Sequence, residues 1–320
     1  MADIGIAHTD NSSNNIQAYM KNIAEVLDKL EDIQNKIGPL EFTNVEPGLR
    51  GSLLKLFQAC CPLARNKTDD QLWEEHKRIR SLLLDEHIPK SSHIKNILSQ
   101  RDRQESMEAL FEWAAKKGAE ISKVKFDLLD SNYFLVAKEN IEPNSPFTTI
   151  PKKLMILADD FLKHETFNKL ISKDPVLAAM PTVLLSYGLL MEFYSGHESE
   201  YWPYLESLPE TYQNSCYYDI DEMLLLKGTS SFRDALYKWK GVVRQYAYFH
   251  LKIIEHSNSD QTELRELISH LNLHDRFSYE DYRWAAATVM SRSLSLQTTA
   301  GYSYSLSLIP ILDLCNHSET

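Results

Sequence analysis

The sequence predicts an α+β fold that is mostly helical, in which a large helical insert interrupts a small β-rich core. Apolar residues at helical spacing dominate the chain up to residue 118, and short β-like segments follow between residues 124 and 150. Helical spacing returns from about residue 159, before an alternating segment at residues 304–308. Because β segments lie on both sides of the long helical stretch, an insertion fits this order better than two separate domains.

Three helices are predicted before the first strand. Apolar side chains recur at helical spacing over residues 16–33, and Gly38 with Pro39 ends this amphipathic helix. Its apolar face either packs on the rest of the chain or docks a partner. A second helix is predicted near residues 70–84. The third precedes Gly118, which suits the C′ position, and carries four apolar residues on one face: Met107, Leu110, Phe111 and Ala114.

The β unit that follows is predicted to contain three strands. Val124–Leu128, Tyr133–Ala137 and Phe147–Ile150 are short runs rich in apolar, aromatic and β-branched residues. Pro151 ends the third run, because proline has no N–H group to donate to a sheet.

The predicted insert combines a fully buried helix with amphipathic ones. Residues 183–194 are almost all apolar, which predicts burial on every side. Residues 202–205 read Trp-Pro-Tyr-Leu and predict an irregular aromatic connection. The clearest amphipathic helix begins near Ser230 or Ser231. Another begins at Ser278, with Asp281 three residues later as a variant capping box.

The last predicted strand alternates serines with larger apolar residues over Tyr304–Leu308. Pro310 ends it, and the apolar run Ile309–Leu314 contains that proline. We expect the strand and this run to lack covering strands. An uncovered apolar edge would make the chain alone associate with itself.

Composition and charge restrict the class of protein. The 320 residues are 43% hydrophobic and 25% charged, values typical of a globular protein with one large domain or two ordinary ones. The formal net charge is −11, from 45 acidic residues against 34 Lys and Arg. A surface of that sign repels phosphate backbones, so we expect no nucleic-acid partner.

The cysteines and the apolar runs indicate an intracellular protein. Cys60, Cys61, Cys216 and Cys315 show no CxxC spacing, so we expect reduced thiols and no metal site. The N-terminus lacks a basic stretch followed by an apolar core, so we expect no signal peptide. No apolar run approaches the roughly 20 residues of a membrane span. We therefore expect a cytoplasmic location, with the nucleus as a second one.

Several stretches in the right order resemble a known family. Asp313–His317 resembles the D-x-x-N-H element of SET-domain methyltransferases of the Rubisco-methyltransferase type. Residues 277–292 resemble the end of the helical insert of that family. Residues 244–249 and 73–80 are similar to segments of its actin-histidine N-methyltransferases in particular. The resemblance covers roughly residues 70–320.

The resemblance implies a protein methyltransferase that uses S-adenosylmethionine and has actin as its protein substrate. Such enzymes hold the cofactor in a cleft between the SET strands and the insert, and the Asn of the D-x-x-N-H element grips its amino acid end. The methyl group passes by direct displacement, so the protein supplies alignment and a dry channel. The positions that match cofactor contacts are Arg103, Ser131, Asn132, Tyr133, Arg292, Asp313, Leu314, Cys315, Asn316 and His317.

The chain departs from the family pattern at three points. Residues 131–134 replace a Gly-x-Gly with bulkier side chains, which fit badly where φ is positive or a ligand comes close. Leu294 and Leu312 match target-pocket positions where the actin-directed enzymes have Asn and Trp. A leucine cannot orient an imidazole by a hydrogen bond. The catalytic tyrosine of the family lies beyond Thr320, so we expect the chain to be cut within the SET domain.

These departures leave two functions open: methyl transfer to a protein side chain, and a non-catalytic protein-binding module of the same family. We predict an N-terminal segment at residues 1–69 and a helical lead-in at 70–118. The first half of the SET core is predicted at 119–158, the helical insert at 159–292, and the start of the second SET half at 293–320.

Overall fold

Helices grouped around two small antiparallel sheets form the part of the chain that the computed structural model describes. That part comprises residues 48–61, 67–129, 132–163, 180–258, 260, 262–297 and 304–316. The helix predicted over residues 16–33 lies outside it. No helix in the described ranges combines the length and the apolar character of a membrane span.

Between residue 48 and the first strand, the described residues form four helices: α1 (Leu49–Cys60), α2 (Asp69–Leu83), α3 (His93–Leu98) and α4 (Arg103–Lys116). The structure confirms the predicted helices α2 and α4, whereas α1 and α3 were not predicted. A capping box starts α2, in which the Gln71 N–H donates to Thr68 Oγ1 and the Thr68 N–H donates to Gln71 Oε1. Beyond the end of α4, Gly118 has φ +94° and takes the predicted C′ position.

The first sheet is a hairpin of β1 (Val124–Leu129) and β2 (Asn132–Ala137), with Leu128 opposite Tyr133. The third strand predicted at Phe147–Ile150 is wrong. A single bridge between Glu120 and Thr149 takes its place. Because Pro146 and Pro151 bracket these four residues, no longer ladder of N–H donors can form.

The second sheet has the strand order β3–β5–β4, formed by Ile156–Leu157, Tyr304–Leu308 and Ser293–Gln297 respectively. All neighbours are antiparallel, and β5 lies at the centre. The expectation that this strand lacks covering strands is therefore wrong. The apolar run after β5 is covered as well, because Ile309 and Ile311 are fully buried.

The insert between β3 and β4 contains α5 (Ala158–Lys163), α6 (Pro181–Ser195), α7 (Trp202–Ser207), α8 (Ile220–Leu225), α9 (Ser230–Ser257), α10 (Thr262–His270), α11 (Leu273–Arg276) and α12 (Tyr279–Arg292). The prediction that α6 is buried on every side is confirmed, since only its ends and Glu192 reach the surface. The irregular connection predicted at residues 202–205 is wrong. Pro203 stands in the first turn of α7, where its missing N–H costs no hydrogen bond.

Aromatic packing joins the insert helices to one another. The rings of Tyr187 and Phe249 stack with centroids 4.6 Å apart, which ties α6 to α9. Phe193 meets Trp284 edge-on at 5.2 Å, which ties α6 to α12. Helix α6 also contacts strands β3 and β5. The insert and the second sheet therefore share one core, and α12 runs directly into β4 at Arg292.

The predicted capping box at the start of α12 is only half present. Ser278 Oγ accepts a hydrogen bond from the Asp281 N–H, as expected for an N-cap. The Asp281 carboxylate is turned away from Ser278 and accepts hydrogen bonds from Ser92 and Tyr194 instead. This buried carboxylate therefore connects α12 to the start of α3 and to α6.

Candidate active site

Arg292 and Asp313 meet where the insert joins the second sheet. Arg292 is the last residue of α12, and the next residue, Ser293, pairs with Leu308 at the end of β5. Asp313 lies in the single 3₁₀ turn Leu312–Leu314 that follows β5. Arg292 Nη1 donates to Asp313 Oδ2 at 3.0 Å and to the Asp313 carbonyl oxygen at 3.3 Å. The structure thus brings together two residues that the sequence assigned to one cofactor site.

A strained turn brings Asp313 to this position. Ile311 has φ 71° and ψ −48°, and the Leu312 N–H donates to the Pro310 carbonyl at 2.9 Å, which defines a γ-turn with positive φ. A β-branched residue rarely adopts this conformation, and such strain persists only where packing enforces it. Ile311 is fully buried, and the Asp313 N–H closes the turn on the Ile309 carbonyl at 3.0 Å.

The ion pair is shielded from solvent. The Asp313 side chain is 1% exposed and that of Arg292 is 14% exposed. Burial is the largest influence and works to lower the pKa of Arg292, but the Asp313 charge and hydrogen bond, together with Tyr212 and Tyr204, raise that pKa above its ordinary value. Burial raises the pKa of Asp313, and the Arg292 charge and the Tyr204 hydroxyl oppose this rise.

The two oxygens of the Asp313 carboxylate have unequal surroundings. Oδ2 accepts from Arg292 and also from the Tyr204 hydroxyl, at 2.9 Å. Oδ1 is buried and has no hydrogen-bond partner among the described residues. A buried carboxylate oxygen without a donor is unfavourable, so this atom calls for a partner beyond the described residues.

Two tyrosines of this site were missed by sequence reasoning. Tyr204 lies on α7, and Tyr212 follows in the connection that leads to α8. The Tyr212 hydroxyl is 2.9 Å from Thr288 Oγ1, and burial raises the pKa of this tyrosine while the Arg292 charge opposes the rise. The only signal in the sequence was the aromatic run itself, because a buried hydroxyl needs a polar partner.

Arg103 approaches the same site from α4. Asp102 caps that helix by accepting from the N–H groups of Gln104 and Glu105, which fixes Arg103 as its first residue. The Arg103 guanidinium lies 5.0 Å from the ring centroid of Tyr133 on β2. Burial lowers the pKa of Arg103, and the charge of Arg292 lowers it further. An anion placed near both guanidinium groups would relieve their mutual repulsion.

The three described residues that replace the Gly-x-Gly have no positive φ in this fold. Asn132, Tyr133 and Phe134 are ordinary residues of strand β2, and none of them has a positive φ. Strand β2 contacts the turn that holds Asp313. Any obstacle to a ligand at this point therefore comes from side-chain volume alone.

The remaining cofactor residues predicted from the sequence have different environments. The Leu314 side chain is buried in the core, so only its backbone can meet a ligand. Cys315 is exposed after the last turn. Asn316 is exposed as well. Ser131 and His317 lie outside the described residues.

The two predicted pocket leucines are partly accessible. Leu294 is 36% exposed on β4, and its carbonyl accepts a hydrogen bond from Ser307 Oγ at 2.9 Å. Leu312 is half-buried and begins the turn that carries Asp313. Both side chains are apolar, so neither can hydrogen-bond a substrate.

Two open depressions of the described surface lie elsewhere. Their volumes are about 520 Å³ and 390 Å³, and both border the C-terminal half of α4, with Glu112 common to the two. Neither is lined by a residue that the sequence assigned to the site. Within the described ranges, no group of three His, Cys, Asp or Glu side chains is arranged to hold a metal ion.

The comparison with known sequences gives one set of relatives. No family model matches the chain. Proteins named actin-histidine N-methyltransferase are 33% identical in Gallus gallus and 32% identical in Homo sapiens and Dasypus novemcinctus, each over 249 residues. These alignments cover 77% of this chain but 40% of each relative. The chain therefore spans well under half the length of the curated relatives it matches.

The comparison with solved structures gives the fold. The SET domain of LSMT bound to lysine and AdoHcy aligns with a TM-score of 0.52 at 21% identity, over 67% of this chain and 44% of that one. Rubisco LSMT bound to sinefungin and monomethyllysine aligns with a TM-score of 0.53 at 21% identity, over 67% and 45%. The predicted α+β fold with a SET core is confirmed, and the fold of the chain is similar to that of these SET-domain methyltransferases.

Over the 249 aligned residues, the chain is a homologue of proteins named actin-histidine N-methyltransferase.

Proposed function

We propose that this chain binds S-adenosylmethionine as part of a protein methyltransferase. The observation that carries the proposal is the buried Oδ1 of Asp313, which has no donor among the described residues although Oδ2 has two. The SET fold supports it, because solved relatives of that fold bind AdoMet, AdoHcy or sinefungin.

The chemistry of the cofactor fits the groups at this site. Its amino acid end carries an ammonium group and a carboxylate. The ammonium is the kind of charged donor that Asp313 Oδ1 lacks, and hydrogen bonds between charged groups are the strong ones. The carboxylate suits the guanidinium groups of Arg103 and Arg292, because the Arg292 charge lowers the pKa of Arg103 and a further anion beside both would offset this repulsion.

Bound S-adenosylmethionine supplies a methyl group already activated by its sulfonium centre. The task of the chain is therefore to hold and align the amino acid end and to exclude water. Arg292 and Asp313 suit this task, because their pairing in a buried turn fixes both groups. Neither group has to exchange a proton during transfer.

Actin is the protein substrate that the names of the relatives support, with a histidine as the acceptor. A histidine side chain has a reference pKa of about 6.5, so its imidazole is mostly neutral and nucleophilic near neutral pH. Lysine, at about 10.4, must first lose a proton. In this chain Leu294 and Leu312 can surround an acceptor only with apolar surface, so any hydrogen bond that orients an imidazole has to come from other groups.

Calorimetry with S-adenosylhomocysteine tests the cofactor site. We expect saturable binding of one ligand per chain, weakened in Arg103→Gln. Arg265→Gln, which removes an exposed arginine on α10, is the matched control and should bind as the wild type does. 5′-Methylthioadenosine lacks the amino acid end and should bind much more weakly. Absence of saturable heat up to about 1 mM ligand, equivalent to about −4 kcal/mol, would refute the proposal.

A second candidate function is a binding module without turnover, and the two pocket leucines favour it. Incubation of the chain with labelled S-adenosylmethionine and actin separates the two. Label on actin that disappears when the acceptor histidines are replaced supports a histidine methyltransferase. Label on a lysine of actin would contradict the proposal that histidine is the acceptor, but not the proposed methyltransferase activity. Cofactor binding together with capture of actin, but without label, supports the module. A fluorescent fusion tests the predicted cytoplasmic location.

A further inference from the structure

We propose that Tyr204 is a positioning residue that holds the Asp313 carboxylate in the rotation that leaves Oδ1 open to a ligand. The inference rests on the proposed cofactor site and assigns a role to a residue outside the D-x-x-N-H element. Tyr204 lies 109 residues before Asp313 in the chain, and its hydroxyl donates to Oδ2 at 2.9 Å.

The geometry of the ion pair makes such a role necessary. A guanidinium group tends to pair with a carboxylate through two parallel hydrogen bonds, one to each oxygen. Arg292 does not do so, because its Nη1 bonds Oδ2 and the backbone carbonyl of Asp313. With Tyr204 also on Oδ2, both donors hold the same oxygen. Oδ1 is thereby kept away from Arg292.

The surroundings of Tyr204 fix its hydroxyl. Its side chain is 1% exposed, and burial raises its pKa well above the ordinary value, so the group stays protonated and donates to the carboxylate. The connection after α7 is anchored on both sides. Arg101 donates to the Leu208 carbonyl, and Trp284 Nε1 donates to the Pro209 carbonyl at 2.8 Å.

Removal of the Tyr204 hydroxyl should have two effects on the site. The carboxylate becomes free to rotate until both of its oxygens accept hydrogen bonds from Arg292. Oδ1 would then no longer be available to a ligand. One of the hydrogen bonds that stabilise the ionised form is also lost, so the pKa of Asp313 should rise. The titratable or charged groups that face this carboxylate are Arg292, Tyr204, Tyr212 and Cys315.

The test compares two buried tyrosines in the intact chain. Tyr204→Phe removes one oxygen and keeps the ring. Tyr282→Phe is the matched control, since Tyr282 is also fully buried and donates one hydrogen bond, to Gln245 at 3.0 Å, away from the site. Binding of S-adenosylhomocysteine is measured by calorimetry from about pH 5 to about pH 8, and urea unfolding of each variant checks its fold.

We expect Tyr204→Phe to weaken binding about tenfold, which equals about 1.4 kcal/mol, and Tyr282→Phe to leave it unchanged. When the solution is acidified, we also expect Tyr204→Phe to lose affinity at a higher pH than the wild type does. A role in packing alone would not move the pH profile. Equal affinity of Tyr204→Phe and wild type across the range would overturn the inference and leave the proposed cofactor site intact.

Absence of binding by the wild type would overturn both the inference and the proposed function, so the two failures are distinguishable. If Tyr204→Phe does not fold, 3-fluorotyrosine at position 204 gives a second measurement. It keeps the hydroxyl but makes it a stronger donor, so the pH at which affinity is lost should move down. An unchanged profile would contradict the positioning role.

Discussion

Asp281 should make the stability of this protein depend on pH. Its carboxylate is fully buried, and it accepts hydrogen bonds from Ser92 Oγ at 2.5 Å, the Ile94 N–H at 3.3 Å and the Tyr194 hydroxyl at 2.8 Å. None of the ion pairs between described residues involves it. Burial raises its pKa to about 6, although these hydrogen bonds act to lower it.

The size and sign of the effect follow from this shift. The pKa rises from 3.8 to about 6, a difference of about 2 units, which corresponds to about 3 kcal/mol at 1.36 kcal/mol per unit. Because the folded state binds the proton more tightly, the contribution of Asp281 to stability is complete below about pH 3.8. It is lost as the pH rises through about 6. At about pH 5, roughly half of this contribution to the free energy of unfolding remains, about 1.4 kcal/mol.

Asp281→Asn should remove this dependence and keep the fold. An amide nitrogen at the Oδ2 position can donate to the Tyr194 oxygen. Tyr194 can then donate to the Arg276 carbonyl, which already lies 3.0 Å from its hydroxyl. The free energy of unfolding is measured with urea for both proteins. When the pH is lowered from 8 to 5, we expect the wild-type value to rise by about 1.4 kcal/mol relative to that of the variant. Asp275→Asn controls for the loss of one charge at an exposed position. A constant difference between wild type and Asp281→Asn over that range would refute the reasoning.

Two further changes test packing and capping, with the free energy of unfolding as the measurement. Gly188→Ala should destabilise by about 1–3 kcal/mol, because the new Cβ would lie 2.2 Å from the Phe161 ring. Gly241→Ala, in open space on α9, should instead stabilise by about 0.5–1 kcal/mol, and equal effects of the two would contradict this account. Thr68→Ala should cost about 1 kcal/mol through loss of the capping box with Gln71, and no change would show that the box contributes nothing.

Apolar patterning predicted the longer described helices except α1, which has 12 residues, and failed on the short ones. A window of about 11 residues or more is needed to recognise helical spacing, so α2, α4, α6, α9 and α12 could be identified. Helix α3 has only six residues. Its start is stabilised by Asp281, a residue 189 positions away from Ser92, and no local pattern encodes that contact. The false strand at Phe147–Ile150 is the opposite error, since its residues suit a strand but only Thr149 pairs, in a single bridge with Glu120.

The site was predicted where a motif marks it and missed where only packing does. The D-x-x-N-H resemblance identified Asp313, and the end of the insert identified Arg292, yet neither predicts their direct contact. That contact depends on the register of β4 on β5 and on the γ-turn at Ile311. Tyr204 lies in a stretch whose pattern is only apolar and aromatic. Its hydroxyl becomes part of the site through a hydrogen bond to Asp313, 109 residues later in the chain.

The same contacts explain why this buried ion pair is suited to binding and not only to stability. A buried pair with both oxygens satisfied often contributes little, because desolvation offsets the attraction between the charges. At Asp313 the two donors meet on one oxygen, and no described residue donates to the other. That arrangement keeps Oδ1 available as a buried acceptor, which a cationic donor would satisfy on binding. The strained turn at Ile311 is consistent with this view, since strain held by tight packing tends to occur where a fold fixes a functional group.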